Sequence, residues 1–210
     1  MDSVSSTMRR GAAVLTALVL SLMLAACSSD AVDEGDEGGA SGSTRTSEVT
    51  GSQSQTEVEI ANPKDAAALE PCELLPAQAA KSLGMKTRGE RKPNDINPSL
   101  PDACDWETPD GGAEKISLTA FGERSIQSYY DNKSQYGHFE KLSISNYPAV
   151  VAMDSSPMET GICSVFLASK QGEVVGSVAN VTYDRVGKVD PCSTAKKALK
   201  LSLPSWPAAK

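Results

Sequence analysis

The sequence predicts an α+β domain: an antiparallel β-sheet built from hairpins, with N- and C-terminal helices packed on one face and disulfide bonds stapling them together. Three observations lead there. Apolar and polar residues alternate through several short segments between positions 103 and 183, the pattern of half-buried strands. Helix start and stop signals flank those segments at 70–85 and 190–203. Four cysteines, Cys72, Cys104, Cys163 and Cys192, fall near the starts of the two helices and of two strands. Helices at both ends of a run of hairpins imply a sheet with its helices on one side.

Taken in order, "EPCELLPAQAAKSLGM" (70–85) reads as a short helix. Pro76 suits its first turn, Leu75, Ala79 and Leu83 share a face, and Gly84 suits a left-handed stop. A polar loop with Pro93, Pro98 and Pro101 follows. "ACDWET" and "KISLTAF" form a hairpin across the "PDGG" turn at 109–112. Residues 125–134 predict a helix capped by Ser125. "KLSIS" (141–145) and "PAVVAM" (148–153) read as strands on either side of Tyr147-Pro148. "GICSVFLASK" and "EVVGSVANVTY" make a hairpin around Gln171-Gly172. The final helix, 190–203, has Asp190 as N-cap, Pro191 in its first turn and a buried stripe of Ala195, Ala198 and Leu199. Pro204 and Pro207 end it.

The chain has five cysteines. A metal site is not expected: no C-x-x-C pair occurs and His138 is the sole histidine. No motif calls for a cofactor. In an exported protein the four domain cysteines form disulfides, and three pairings are possible. The favoured one is Cys72–Cys104 with Cys163–Cys192, since each joins a helix start to a nearby strand start.

Export is read from the N-terminus. Arg9 and Arg10 precede Gly11 to Ala26, a run that is apolar except for Thr16 and Ser21. That is the form of a signal peptide, with translation starting at Met1 or Met8, and the run is shorter than the roughly 20 apolar residues a spanning helix needs. Leu24-Ala25-Ala26-Cys27 resembles a bacterial lipobox, which implies cleavage before Cys27 and a diacylglycerol on its sulfur. Cys27 is then the fifth cysteine, and two or three acyl chains hold where one binds marginally. The expected organisation is a signal peptide at 1–26, the lipidated Cys27 and a disordered acidic tether at 27–61, and one domain at 62–210. The tether is rich in Ser, Gly, Thr, Glu and Gln and is too polar to repay the entropy of ordering. As a flexible coil it spans roughly 30 Å.

From Ser28 to Asn62 there are eight acidic residues against Arg45 alone, whereas Pro63 to Lys210 carries 18 acidic and 17 basic residues. No basic stripe exists, so nucleic acid is not an expected partner. The expected partners are the membrane, through the lipid anchor, and an envelope protein or small-molecule ligand. The expected location is extracytoplasmic, on the outer face of the cell membrane.

Six motifs occur in a fixed order: Pro71-Cys72-Glu73-Leu74-Leu75, Leu83-Gly84, Cys104-Asp105-Trp106, Tyr147-Pro148-Ala149, Cys163-Ser164-Val165 and Asp190-Pro191-Cys192. Behind a lipobox, that order resembles the actinobacterial lipoprotein family called domain of unknown function 3558, over about residues 62–204. The chain departs from it at Pro76, where the family more often has Thr or Ser. The resemblance implies a cell-envelope lipoprotein and supplies no catalytic residues.

The residues themselves favour a binding module over an enzyme. A Ser-His-Asp arrangement would have to use His138, which lies in "YGHFE", away from any nucleophile motif. Asp105 and Glu107 share a strand face and read as solvated acids. Trp106, Phe121 and Phe166 are expected in the core, with Trp106 beside the Cys72–Cys104 bridge. Tyr129, Tyr130, Tyr136 and Phe139 are the expected exposed binding patch, since aromatic residues are favoured at interfaces. The alternative reading is an envelope hydrolase with an unorthodox site.

Overall fold

The computed structural model describes residues 58–210. The expected signal peptide, Cys27 and the expected tether through Glu57 lie outside the described residues. The last tether positions do not stand away from the domain. Ile60 packs against both apolar clusters of the fold, and Gln171 Nε2 donates to the Val58 carbonyl at 2.7 Å. The folded part thus begins upstream of the expected boundary at 62, because Val58 and Ile60 are apolar and find cover.

Seven strands form a single antiparallel sheet in the order β1-β2-β3-β7-β6-β5-β4. They are β1 (Glu90–Lys92), β2 (Ala103–Glu107), β3 (Glu114–Phe121), β4 (His138–Ile144), β5 (Tyr147–Met153), β6 (Ile162–Lys170) and β7 (Glu173–Val181). Each expected hairpin is present: β2 with β3, and β6 with β7 around Gly172, whose φ of +70° suits glycine. The β4–β5 hairpin turns on Ser145-Asn146, both at positive φ, the geometry that matches the twist of paired strands. β4 starts before the expected 141, and His138 is its first residue. The centre of the sheet is the long pairing of β3 with β7, from Glu114 opposite Val181 to Phe121 opposite Val174.

Among the described residues four α-helices accompany the sheet: α1 (Ala77–Ser82), α2 (Ile126–Asp131), α3 (Pro157–Thr160) and α4 (Pro191–Ser202). The expected helix at 70–85 is broken. A 3-10 turn, Pro71–Glu73, is followed by Pro76 at ψ 148°, and α1 starts only after it. Proline disfavours helical geometry in the residue before it. Gly84 ends the helix region at φ +76°. α2 is shorter than the expected 125–134, but Ser125 Oγ accepts from the Gln127 N–H as an N-cap should. In α4, Asp190 accepts from the Cys192 N–H at 2.9 Å and Ala195, Ala198 and Leu199 are buried. Among the described residues no helix is long and apolar enough to cross a membrane.

Strand alternation divides the apolar residues into two clusters. Ala149, Val151, Val165, Leu167, Val175, Ile116 and Leu118 join Leu75, Ala79 and the buried stripe of α4 in the larger one. Their neighbours Val150, Ala152, Ala168 and Val174 join Ile126 and Tyr129 of α2 in the smaller. Disulfides link Cys72 to Cys104 and Cys163 to Cys192. The first ties the Pro71–Glu73 turn to β2, and the second ties β6 to the first turn of α4. Trp106 is 1% exposed. The C-terminal tail is held by Trp206, whose Nε1 donates to the Leu74 carbonyl at 3.1 Å, and by a bridge between Lys64 and Ala208.

Candidate functional site

α2 places Ile126 and Tyr129, three residues apart, on one helical face. That face rests on the smaller cluster, so Tyr129 is only 5% exposed. It is a core residue, not the exposed anchor that its neighbours in sequence suggest. Its ring stacks on Phe166 with centroids 4.5 Å apart. Tyr136 lies 6.2 Å from Tyr129 and 5.9 Å from Phe139, and Tyr130 meets Phe139 edge-on at 6.4 Å. The four expected residues therefore do form one aromatic cluster, but it is largely an internal one. Tyr130, Tyr136 and Phe139 are half-buried. Phe121 and Phe166 belong to the same cluster and are also half-buried.

Cations fix the rims of this cluster. The Arg124 guanidinium sits 4.3 Å above the Phe121 ring and donates to Tyr129 Oη. Lys141 Nζ lies 3.8 Å above the Tyr130 ring, a cation–π contact. Burial pushes the Tyr129 and Tyr130 phenols up from the ordinary tyrosine value, with the Arg124 hydrogen bond opposing the shift at Tyr129. Both are neutral at physiological pH, and Tyr130 Oη donates to the Ala149 carbonyl at 3.4 Å.

α2 covers only part of its sheet face. On the remainder, Ser117 lies opposite Val178, and Val178 opposite Ser164. One step along, Lys115 lies opposite Asn180, and Asn180 opposite Ile162. These two rows are the floor of a groove. At one end it opens into a concavity of about 470 Å³ walled by Lys92 to Ile96, with Asp105, Lys115 and Asn180 in its lining. At the other end is a concavity of about 320 Å³ walled by Tyr136, Asp154 and Ser155, with Ile162 and Ser164 in its lining. Val178 and Asn180 line the first and their strand partners line the second, so the two adjoin.

Asp105 is the exception to the expectation of solvated acids. It is 8% exposed and pairs with Lys115 Nζ at 2.5 Å. The cause is β1, which pairs Glu90 opposite Asp105 and shields it. Glu107, beyond the end of β1, keeps a half-exposed contact with Lys86. The carboxylate is buried while the Lys115 side chain stays partly exposed, so the pair holds a fixed acceptor at the rim of the groove.

His138 does not line the groove. It stands at the start of β4 opposite Met153. Among the described residues no group of three His, Cys, Asp or Glu side chains is placed to hold a metal ion. The groove was missed in the sequence because its floor joins β3 to β7 and β6, strands far apart in the chain. The one local signal was the polar half of the alternation in β3 and β7.

Fold and site together describe a disulfide-stapled, mainly β domain with a shallow polar groove beside an aromatic cluster. The chain belongs to the family described as protein of unknown function (DUF3558), whose model matches residues 22–205. No curated protein matches it.

Proposed function

We propose that this chain is a cell-envelope lipoprotein, anchored to the outer face of the cell membrane through Cys27, and that its domain is a non-catalytic binding or accessory module. In this reading α1 and α4 cover one sheet face as structural support, and the other face is the working one. The observation that carries it is the uncovered polar floor between Lys92–Ile96 and Tyr136. A groove floored by hydroxyl, amide and apolar groups, with an aromatic edge, suits a ligand held by hydrogen bonds and contact. The lipobox and the disulfides of an exported chain support the address.

The test is complementation of a deletion strain. Ser164→Trp, placed in the floor, is expected to abolish function while the domain stays folded, and Tyr136→Ala to weaken it. His138→Ala is expected to behave as wild type. Loss of function in folded His138→Ala, with Ser164→Trp active, would replace this reading with an envelope hydrolase.

A further inference from the structure

Lysines at 196, 197 and 200 share the outer side of α4, opposite its buried residues Ala195, Ala198 and Leu199. With Leu142, Ser143, Ile144 and Ser145 they line a concavity of about 390 Å³. Lys196 is held by Glu140 at 3.4 Å. Among the described residues, neither Lys197 nor Lys200 has an acidic partner within ion-pair distance, and Lys197 donates to the Ser82 carbonyl of α1. α1 and α4 together carry four lysines and no acidic residue, while acids slightly outnumber bases over residues 63–210 as a whole. Positive charge is thus gathered along these two helices, with Glu140 beside Lys196. Ammonium groups and serine hydroxyls are the donors that phosphate oxygens accept from.

We propose that Lys196, Lys197 and Lys200 form an anion site for the phosphate of an anionic lipid headgroup, turning α4 toward the membrane leaflet. This rests on the anchoring read at Cys27. If residues 28–57 are the flexible tether expected from their composition, a span of roughly 30 Å would keep the domain close to that surface, and such an effective concentration would make a weak headgroup contact count. The charges are complementary: an anionic leaflet attracts basic segments, and each lysine near it strengthens binding about fivefold.

Residues 58–210 enclose both apolar clusters and both disulfides, so the chain beginning at Ser28 serves as the non-acylated protein. Its partition is measured on vesicles of phosphatidylcholine alone and with phosphatidylglycerol added. Binding is expected only with phosphatidylglycerol, and it should weaken with salt. The triple variant K196Q/K197Q/K200Q is expected to bind roughly 100-fold more weakly, and K133Q/K188Q as wild type. If the triple variant does not fold, Lys200→Gln alone should show about a fivefold loss. Equal binding to both vesicles, or an unaffected triple variant, overturns the proposal. So does binding that emerges only after residues 28–57 are removed, which would make the acidic tether the occupant. Inorganic phosphate that perturbs these lysines in NMR spectra, without vesicle binding, would assign the site to a free anion and reject the lipid. No acyl chain is present, so failure of the Cys27 reading cannot be mistaken for failure here.

Discussion

Ser177 sits on β7 opposite Leu118 and Val165 in the larger cluster, with a buried hydroxyl that finds no hydrogen-bond partner among the described residues. A buried donor without a partner carries its desolvation penalty undiminished, so Ser177→Ala is expected to stabilise the fold by about 1 kcal/mol in urea denaturation. A clear loss of stability would show that the hydroxyl has a hidden partner. Gly89 poses the opposite problem. A Cβ there would lie 2.4 Å from Cys104 Sγ and 2.6 Å from the Trp106 ring. Neither the bridged sulfur nor the packed indole can swing aside, so Gly89→Ala is expected to cost about 1–3 kcal/mol by the same measurement. Asp65 controls part of the acid response. Lys170 donates to it at 2.6 Å and holds its carboxyl below the ordinary value of 3.8. With the folded pKa lower than the unfolded one, this stabilisation is present above the unfolded value and is lost as pH falls through the folded one. Asp65→Asn is therefore expected to be less stable than wild type near neutrality and to converge with it as pH falls below the ordinary carboxylate value of 3.8.

At the scale of elements, the bridge from Cys163 to Cys192 closes a loop with a sequence separation of 29 and fixes the start of α4 to β6. Replacing both cysteines by alanine is expected to cost about 3–4 kcal/mol in the chain-entropy account, read as a lower denaturation midpoint. Elements whose cause is local were legible in the sequence. Asp190-Pro191 marks the start of α4, Ser125 caps α2, and Gln171-Gly172 turns β6 into β7. Elements whose cause is distant were not. β1 is Glu-Arg-Lys, exposed throughout, and has no strand signal of its own; it exists because β2 offers it an edge. Its charges in turn discourage pairing with another chain. The aromatic cluster shows the same division. That Tyr129, Tyr130, Tyr136 and Phe139 would meet could be read from their closeness in sequence. That Tyr129 would be buried depended on Phe166, a partner from β6.

At the scale of the whole molecule, the address is tested apart from the fold. Cys27→Ser is expected to release the protein from the membrane fraction or leave an uncleaved precursor, seen by fractionation and immunoblotting. Mature-sized protein still in the membrane would contradict the anchor. The β3–β7 pairing that floors the groove joins two halves of the chain that carry no mutual signal, so no local reading could place the groove there.

The bridge from Cys72 to Cys104 also has a mechanical consequence. In the proposed reading the domain is held by its N-terminus, and drag on a bound ligand would be felt as tension along the incoming chain. That tension first peels residues 58–71, which rest on contacts such as the Lys64–Ala208 bridge. At Cys72 it passes through the sulfurs into β2, bypassing α1. The covalent shortcut conceals a sequence separation of 32 residues. In a single-molecule pulling experiment, reduction of that bond is expected to release about 110 Å of extra extension.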